Sequence, residues 1–231
     1  MRLLIDLIRP HNLDVDEKFH ILNYFNVMSV ASFASFFDFI EKIEGDIVEC
    51  GIGRSRSLLI LSALVAGLKL NRRILGYDSF AGFPEPSPHD MSERNPQKGE
   101  WSHSPSQKYQ YTQEFCRMVL GQADIPLDEI NFSTIKGFFG DTLPYNDSVN
   151  IALLNIDGDL YQSYMDVLQN LYHKVSPGGV IIFDDFAEQD NRGFFPGARL
   201  AVKEFLGEQL YGSIRINKYG AYYLVKPLES L

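Results

Sequence analysis

The sequence predicts an α/β fold: a mostly parallel, doubly wound sheet closed by a C-terminal antiparallel hairpin. Three observations carry that expectation. Short apolar runs alternate with helical segments, the rhythm of β–α–β units. The first run, Asp46 to Cys50, ends in Gly51-Ile52-Gly53 and leads straight into an apolar helical stretch. Near the C-terminus, two strand-like runs flank Lys218-Tyr219-Gly220, a spacing that suits a tight hairpin turn.

The elements follow in order. Met1 to Ile8 is a short apolar run broken by Asp6 and followed by Arg9, with no small-residue cleavage site. It reads as a first helical or extended element, not a signal peptide. From about Glu17 to Glu44, Ile21, Phe25, Met28, Phe36, Phe39 and Ile43 recur at helical spacing. Residues 1–44 are therefore expected to form a helical segment, a substrate cap or a subunit contact, ahead of one α/β domain over 45–231. Val27 to Ile40 is too short, and too polar at Ser29, Ser32, Ser35 and Asp38, to span a membrane.

After the first strand, Ser57–Leu68 reads as a helix and Arg73–Asp78 as the second strand. Gly82 to Ser106 holds five prolines, two glycines and the chain's one tryptophan, too many breakers for a regular element. So long a loop inside a compact domain suggests a lid or a binding loop. Lys108–Gly121 returns to helix, followed by strands over Ile130–Lys136, Ile151–Ile156 and Val180–Asp184. Between the last two, Leu160, Tyr164, Leu168, Leu171 and Val175 share one helix face, and Ser176-Pro177-Gly178-Gly179 reads as a turn. A helix over Gly197–Gly207 and strands over Ser213–Asn217 and Ala221–Val225 complete the chain.

Composition narrows the function. With 45% apolar and 22% charged residues, the chain has the balance of a soluble globular protein. Its net charge of −9 repels phosphate backbones and anionic bilayers. Nucleic acid and membrane are thereby disfavoured as partners, and a small molecule is favoured. Cys50 and Cys116 are too few for a disulfide scaffold and match no zinc spacing; they read as buried thiols of a reducing, cytoplasmic compartment.

The chemistry-bearing residues gather at strand ends. Gly51 and Gly53 permit close backbone approach to a ligand at a helix N-terminus, although a lone Gly-x-Gly is as often a plain turn. Arg56 stands where a dinucleotide fingerprint has its third glycine, so a ligand without a pyrophosphate fits better. Asp78, ending the second strand, is placed to accept from ribose hydroxyls; its plainer use is a turn cap. Asp157-Gly158-Asp159 follows the fourth strand and Asp184-Asp185 the fifth. One intervening helix makes those strands parallel neighbours, about 4.8 Å apart. The acids then converge, and such a cluster of hard oxygens suits Mg²⁺, Mn²⁺ or Ca²⁺. The plainer use of Asp159 is a helix cap. His20, His89, His103 and His173 carry no comparable signal.

Five blocks in order resemble the macrocin O-methyltransferase (TylF-like) family of class I S-adenosylmethionine-dependent methyltransferases. They are Gly45-Asp46-Ile47-Val48-Glu49-Cys50-Gly51, Tyr77 through Pro84, Gly137 through Pro144, Asp157 through Tyr161, and Ser176 through Asp185. The resemblance runs from about Glu17 to Phe205. It implies a Rossmann-like methyltransferase domain over 45–231. It also implies an S-adenosylmethionine- and divalent-metal-dependent O-methyltransferase acting on a small-molecule hydroxyl, a sugar or other natural-product moiety. Asp157, Asp184 and Asp185 resemble the family's ligands for Mg²⁺ or Mn²⁺, and Asp159 its general base. Gly51, Gly53 and Asp78 match cofactor-binding positions, and Glu49, Ser57 and Gly137 join that set of candidates. The chain departs from the family at Arg54-Ser55-Arg56-Ser57, where many members are richer in glycine, and along Pro84–Ser106.

Two rival functions use the same residues. A metal-dependent glycosyltransferase would hold a nucleotide sugar through Asp157 and Asp159. A non-catalytic protein could keep the cofactor fold alone. The glycine loop paired with Asp78, and the C-terminal hairpin, favour methyl transfer over the first; the intact acids favour turnover over the second. The expected partners are a hydroxyl acceptor and a second copy of the chain through the N-terminal helices.

Overall fold

The structure, a computed structural model, describes residues 24–146, 150–186 and 195–228. Met1–Ile8, His20 and Ile21 lie outside the described residues. Seven strands form one sheet: β1 Asp46–Cys50, β2 Ile74–Asp78, β3 Phe132–Lys136, β4 Ile151–Ile156, β5 Val175–Phe183, β6 Arg215–Ile216 and β7 Tyr222–Val225. Their order is β3-β2-β1-β4-β5-β7-β6. The first five pair in parallel, and β7 pairs antiparallel with both β5 and β6. The expected fold class is present, hairpin included.

Alternation along each strand divides the core into two layers. In β1, Ile47 faces one side with α1 (Tyr24–Ile40), α2 (Arg56–Gly67) and α3 (Gln113–Gln122). Val48 and Cys50 face the other side with α4 (Phe139–Thr142), α5 (Tyr161–Leu171) and α6 (Pro196–Tyr211). All six residues of β4 are buried, as a strand covered on both faces must be. Helix α1 is largely apolar, and its Phe36 meets Tyr223 of β7 edge-on at 5.2 Å. No helix among the described residues is long and apolar enough to cross a membrane.

Several boundaries differ from the sequence pattern. Ser176–Gly179 is not a turn before β5 but part of it. Ile151 pairs with Val175 and Leu153 with Val180, so the Pro-Gly-Gly stretch is bulged out of register. It stays in the sheet because Gly178 N–H donates to Lys226 O and Lys226 N–H to Gly179 O. Val175 accordingly belongs to the strand and not to the α5 face. Residues 108–112 precede α3 instead of opening it, since Thr112 caps that helix by accepting from Phe115 N–H. Helix α6 runs on to Tyr211 with a non-helical Gly207 inside it.

The long loop is folded onto the domain. Phe83 N–H donates to Glu100 O and Gly99 N–H to Phe83 O, and Ser87 caps a short 3₁₀ turn, Pro88–Asp90. Asp90 is 1% exposed; one oxygen accepts from Tyr161 N–H at 2.7 Å and the other from the Ser87 amide and hydroxyl. The loop is thus anchored at the start of α5.

Candidate active site

The chain lays down β1, β2 and β3 to one side, then crosses back to place β4 on the other. Ligand clefts open at such a reversal, beyond the carboxyl ends of the strands. The ladder continues past the strands here: Asp157 N–H donates to Cys50 O at 2.8 Å, and Asp184 N–H to Ile156 O at 3.0 Å. Asp157 and Asp184 therefore leave the sheet side by side. A side chain at Gly51 is impossible, because its Cβ would fall 1.7 Å from the Asp157 carbonyl oxygen.

A cleft of about 610 Å³ opens over these ends. Gly51, Gly53, Ser57, Asp78, Asp157, Asp159, Asp184 and Asp185 all line it. Two sequence candidates do not. Glu49 is fully buried beneath the loop, where its Oε1 accepts from the Ser57 hydroxyl and from Asn155 at 3.2 Å. Gly137 instead turns the chain after β3: its φ is +146° and its N–H donates to Asp78 O at 2.9 Å. Its neighbours Phe138 and Phe139 reach the cleft in its place.

Asp78 spends most of its capacity locally. Its Oδ2 accepts from Ile52 N–H at 2.7 Å and Gly53 N–H at 2.9 Å, and its Oδ1 from Phe80 N–H at 2.6 Å. A carboxylate has about four acceptor positions, so roughly one remains, on Oδ1. Asp78 shapes the glycine loop as well as facing the cleft.

Asp157, Asp184 and Asp185 bring one carboxylate oxygen each within 4.8 Å of one another. Asp185 has donors: its Oδ2 accepts from Asp159 N–H at 2.8 Å and from the Tyr164 hydroxyl at 2.9 Å. Among the described residues no hydrogen-bond donor reaches the carboxylates of Asp157 or Asp184. Asp159 holds a left-handed backbone, φ 58°, and does not cap α5; Asp90 accepts that helix's first amide instead.

Crowding raises the acids together. Burial, then the charges of Asp184 and Asp185, push Asp157 well above the usual carboxylate range. Burial, then Asp185, does the same to Asp159. Asp185 is pushed up to about 7 by burial and then by Asp184. Asp184 is also raised by its surroundings, but it is exposed and Arg56 opposes the shift. The crowding is felt most at the inner acids. Glu49 is raised to about 8, chiefly by burial.

These features fit the groups the sequence implies. Three hard oxygens in excess negative charge, two of them on carboxylates that no described donor reaches, have the chemistry that suits Mg²⁺ or Mn²⁺. Gly53, with φ +46° and nothing within 4 Å of where a Cβ would stand, leaves open space in the cleft for a ligand backed by the loop. Glu49 Oε2 is buried with no partner, one hydroxyl away from the cleft through Ser57.

Some residues that support the cleft from behind its lining are harder to find in the sequence. Arg94, from the long loop, stacks over Phe83 and Phe195 at 5.5 and 5.1 Å, pairs with Glu100 at 2.6 Å, and puts a positive charge near Asp159. Only the path of the loop brings these together. Tyr164 could have been found: a tyrosine in an otherwise apolar stripe needs a partner for its hydroxyl. None of the described histidines lines the cleft; His89 lies against the Tyr161 ring, with centroids 4.4 Å apart.

Comparison with known proteins agrees with this fold. The family model of TylF, macrocin-O-methyltransferase, matches residues 37–223. A tetracenomycin-type 4'-O-methyltransferase of Streptomyces olivaceus, named for its 2,3-dimethoxy-rhamnosyl substrate, is 32% identical over 146 residues, covering 63% of this chain and 54% of that protein. The mycinamicin III 3''-O-methyltransferase of Micromonospora griseorubida is 29% identical over 188 residues, covering 78% and 68%. The chain spans about half the length of the tetracenomycin relative. Among solved structures, the calicheamicin methyltransferase CalS11 superposes with a TM-score of 0.74 at 21% identity, over 97% of this chain and 90% of that one. The O-methyltransferase NovP gives 0.70 at 24%, over 87% and 80%.

Proposed function

The chain belongs to the TylF macrocin-O-methyltransferase family, and we propose that it methylates a hydroxyl group of a small molecule, a sugar or other natural-product moiety, using S-adenosylmethionine and a divalent cation. The observation that carries this reading is the meeting of two residue sets at one cleft: Gly51, Gly53, Ser57 and Asp78 on one wall, and Asp157, Asp159, Asp184 and Asp185 on the other. Family membership and the sheet order weigh against glycosyl transfer.

When bound, S-adenosylmethionine supplies an electrophilic methyl group whose C–S bonding pair returns to sulfur as the acceptor oxygen takes the carbon. A divalent cation, when bound, supplies the Lewis acidity that lowers the pKa of a hydroxyl oxygen. Every other role falls to the chain. Gly51 and Gly53 give the cofactor room, and Asp78 offers its remaining acceptor position to the ribose while fixing the loop. Asp157, Asp184 and Asp185 would hold the cation. Asp159 takes the hydroxyl proton and becomes a neutral acid; before that step the charge of Arg94 favours its ionised form. Holding two reactants in one geometry can lower such a barrier by roughly 7–11 kcal/mol. The anchored loop, with Phe83 and Trp101 on the wall, keeps water from the reacting atoms.

Calorimetry with S-adenosylhomocysteine and with Mg²⁺ tests the reading. Both should bind, and chelation should abolish methyl transfer while leaving most nucleoside affinity. Full transfer in excess chelator would remove the metal from the mechanism. We also read the protein as cytoplasmic, on its buried free thiols Cys50 and Cys116. The N-terminal segment 1–44 is read as a cap or subunit contact, on the exposure of Val27 and Phe39 of α1.

A further inference from the structure

Beneath the glycine loop lies a polar pair whose hydrogen bonding is half complete. Glu49 of β1 and Asn155 of β4 are register partners at the centre of the sheet, 0% and 1% exposed. They meet through one bond: Asn155 Nδ2 donates to Glu49 Oε1 at 3.2 Å. The Ser57 hydroxyl donates to the same Oε1. Glu49 Oε2 and Asn155 Oδ1, the other oxygens of the same two groups, have no hydrogen-bond partner among the described residues.

Both orphaned atoms are acceptors, so each lacks a donor. The charges that reach Glu49 most strongly, Asp184 and Asp78, are negative. The neighbouring thiols, Cys50 on β1 and Cys116 on α3, are raised by burial and stay protonated. A buried carboxylate with one bare oxygen, facing two like charges, is the costly form. One proton on Oε2 removes both defects: Oε2–H becomes the donor that Asn155 Oδ1 lacks, while Oε1 keeps its two donors. Acid and amide then close a ring of two hydrogen bonds.

The consequence reaches the cleft through Ser57, which lines it. A serine hydroxyl has one proton to give. With that proton held by Glu49 Oε1, Ser57 can only accept from a ligand. S-adenosylmethionine carries a matching donor in the ammonium of its amino-acid part.

We propose that Glu49 is a neutral carboxylic acid in the unliganded protein, its Oε2–H donating to Asn155 Oδ1, and that this pair is a positioning unit that makes Ser57 an acceptor for the cofactor's ammonium group. The part that concerns Ser57 rests on the methyl-transfer reading; the protonated pair does not.

Two measurements on the full chain test it. Infrared difference spectra of the unliganded protein, unchanged minus Glu49→Gln, should show the carbonyl stretch of a protonated carboxylic acid at about pH 6 and lose it at about pH 10, on either side of the value of about 8 for Glu49. A carboxylate band at the lower pH overturns the proposal. Calorimetry then compares S-adenosylhomocysteine with methylthioadenosine, which lacks the amino-acid part. Glu49→Leu should weaken S-adenosylhomocysteine about tenfold, and Glu49→Gln should restore it to within about twofold, because glutamine offers the same acceptor and an amide donor in place of the acid proton. Methylthioadenosine affinity should stay within about twofold in Glu49→Leu, which also reports intact folding. In a Ser57→Ala background Glu49→Leu should cost nothing more. Equal losses for both ligands, a loss undiminished without the Ser57 hydroxyl, or no rescue by glutamine would each overturn the positioning role. Failure of S-adenosylhomocysteine to bind the unchanged protein would fall on the methyltransferase reading and leave the infrared result to judge the pair.

Discussion

Asp90 and Asp184 are both aspartates near one cleft, and they are used in opposite ways. Asp90 is 1% exposed, yet three donors satisfy it: Tyr161 N–H, Ser87 N–H and the Ser87 hydroxyl. Asp184 is exposed, yet among the described residues no hydrogen-bond donor reaches its carboxylate, and two further acids lie within 4.8 Å. The supply of donors, not burial, separates an acid whose hydrogen bonding the fold completes from one the fold leaves unsatisfied. A buried carboxylate with full hydrogen bonding is settled, whereas crowded acids short of donors are settled only by a cation or a proton.

The largest effect expected from this contrast is on turnover. On the proposed metal-dependent reading, Asp184→Asn removes one charged ligand from the cluster and relieves repulsion among the rest. Methyl transfer should fall by about 10³-fold, equivalent to about 4 kcal/mol in the barrier. The melting temperature should hold or rise, because no donor loses its partner. Steady-state rates and thermal unfolding of the same variant check both halves. A variant that keeps its activity, or that loses stability along with it, would erase the distinction drawn between the two aspartates.

Asp90→Ala should do the reverse. It orphans the Tyr161 and Ser87 amides and the Ser87 hydroxyl at the start of α5. Hydrogen bonds to a charged group are worth about 1.5–3 kcal/mol each and do not simply add, so a loss of about 3 kcal/mol in urea unfolding is expected. Mg²⁺ affinity, measured at a temperature where the variant stays folded, should change little. A destabilisation below about 1 kcal/mol would mean the loop is held by Arg94 and its aromatic stack instead.

The two aspartates were not equally legible in the sequence. Asp157 and Asp184 follow apolar runs separated by one helix, and the handedness of parallel crossovers places such strand ends together. Asp90 sits among prolines in a loop whose path no periodicity encodes. Arg94, Phe83 and Phe195 are in the same position: they meet because the loop folds back, and sequence spacing holds no trace of that. Ser176–Gly179 misleads for a different reason. Pro-Gly-Gly marks irregular backbone correctly, but the irregularity here is a bulge kept in the sheet by Lys226. Glu49 is legible as an acid at a strand end, but alternation alone does not show that it points under the loop instead of into the cleft.

Asp78 stands between the extremes, with three donors and one acceptor position left. Asp78→Ala should weaken S-adenosylhomocysteine binding by about 2 kcal/mol, part of it from loosening of the loop at Ile52 and Gly53. Asp78→Asn separates the parts: it keeps the carbonyl acceptor for the loop but loses the charge. Calorimetry should show the asparagine variant recovering about half of the loss. Equal loss in both would assign the whole effect to charge.

The smallest effect expected is a pH dependence, and it asks whether a proton and a cation compete for the same acids. An unfolded aspartate has a pKa of about 3.9. In the folded protein Asp185 is raised to about 7, and Asp157 also lies well above its usual range. Between about pH 4 and pH 7 the folded chain therefore keeps protons that the unfolded chain has released. Stability changes with pH in proportion to protons bound unfolded minus folded, which is negative here, so the metal-free protein should lose stability as pH rises through that window. Mg²⁺ replaces those protons, and its binding is stronger where they are already gone. The melting temperature should therefore rise more on adding Mg²⁺ at pH 8 than at pH 5, by a few degrees for a chain of this size, where 1 kcal/mol corresponds to about 2–4 °C. Glu49, raised to about 8 chiefly by burial, contributes a loss of the same sign that Mg²⁺ leaves largely in place, because it is buried below the loop and is not one of the three clustered acids. Glu49→Gln should remove that remainder and leave the Mg²⁺-dependent difference intact. A Mg²⁺ shift equal at both pH values would show that the cation binds without displacing protons, and the crowding of Asp157, Asp184 and Asp185 would then not be what it relieves.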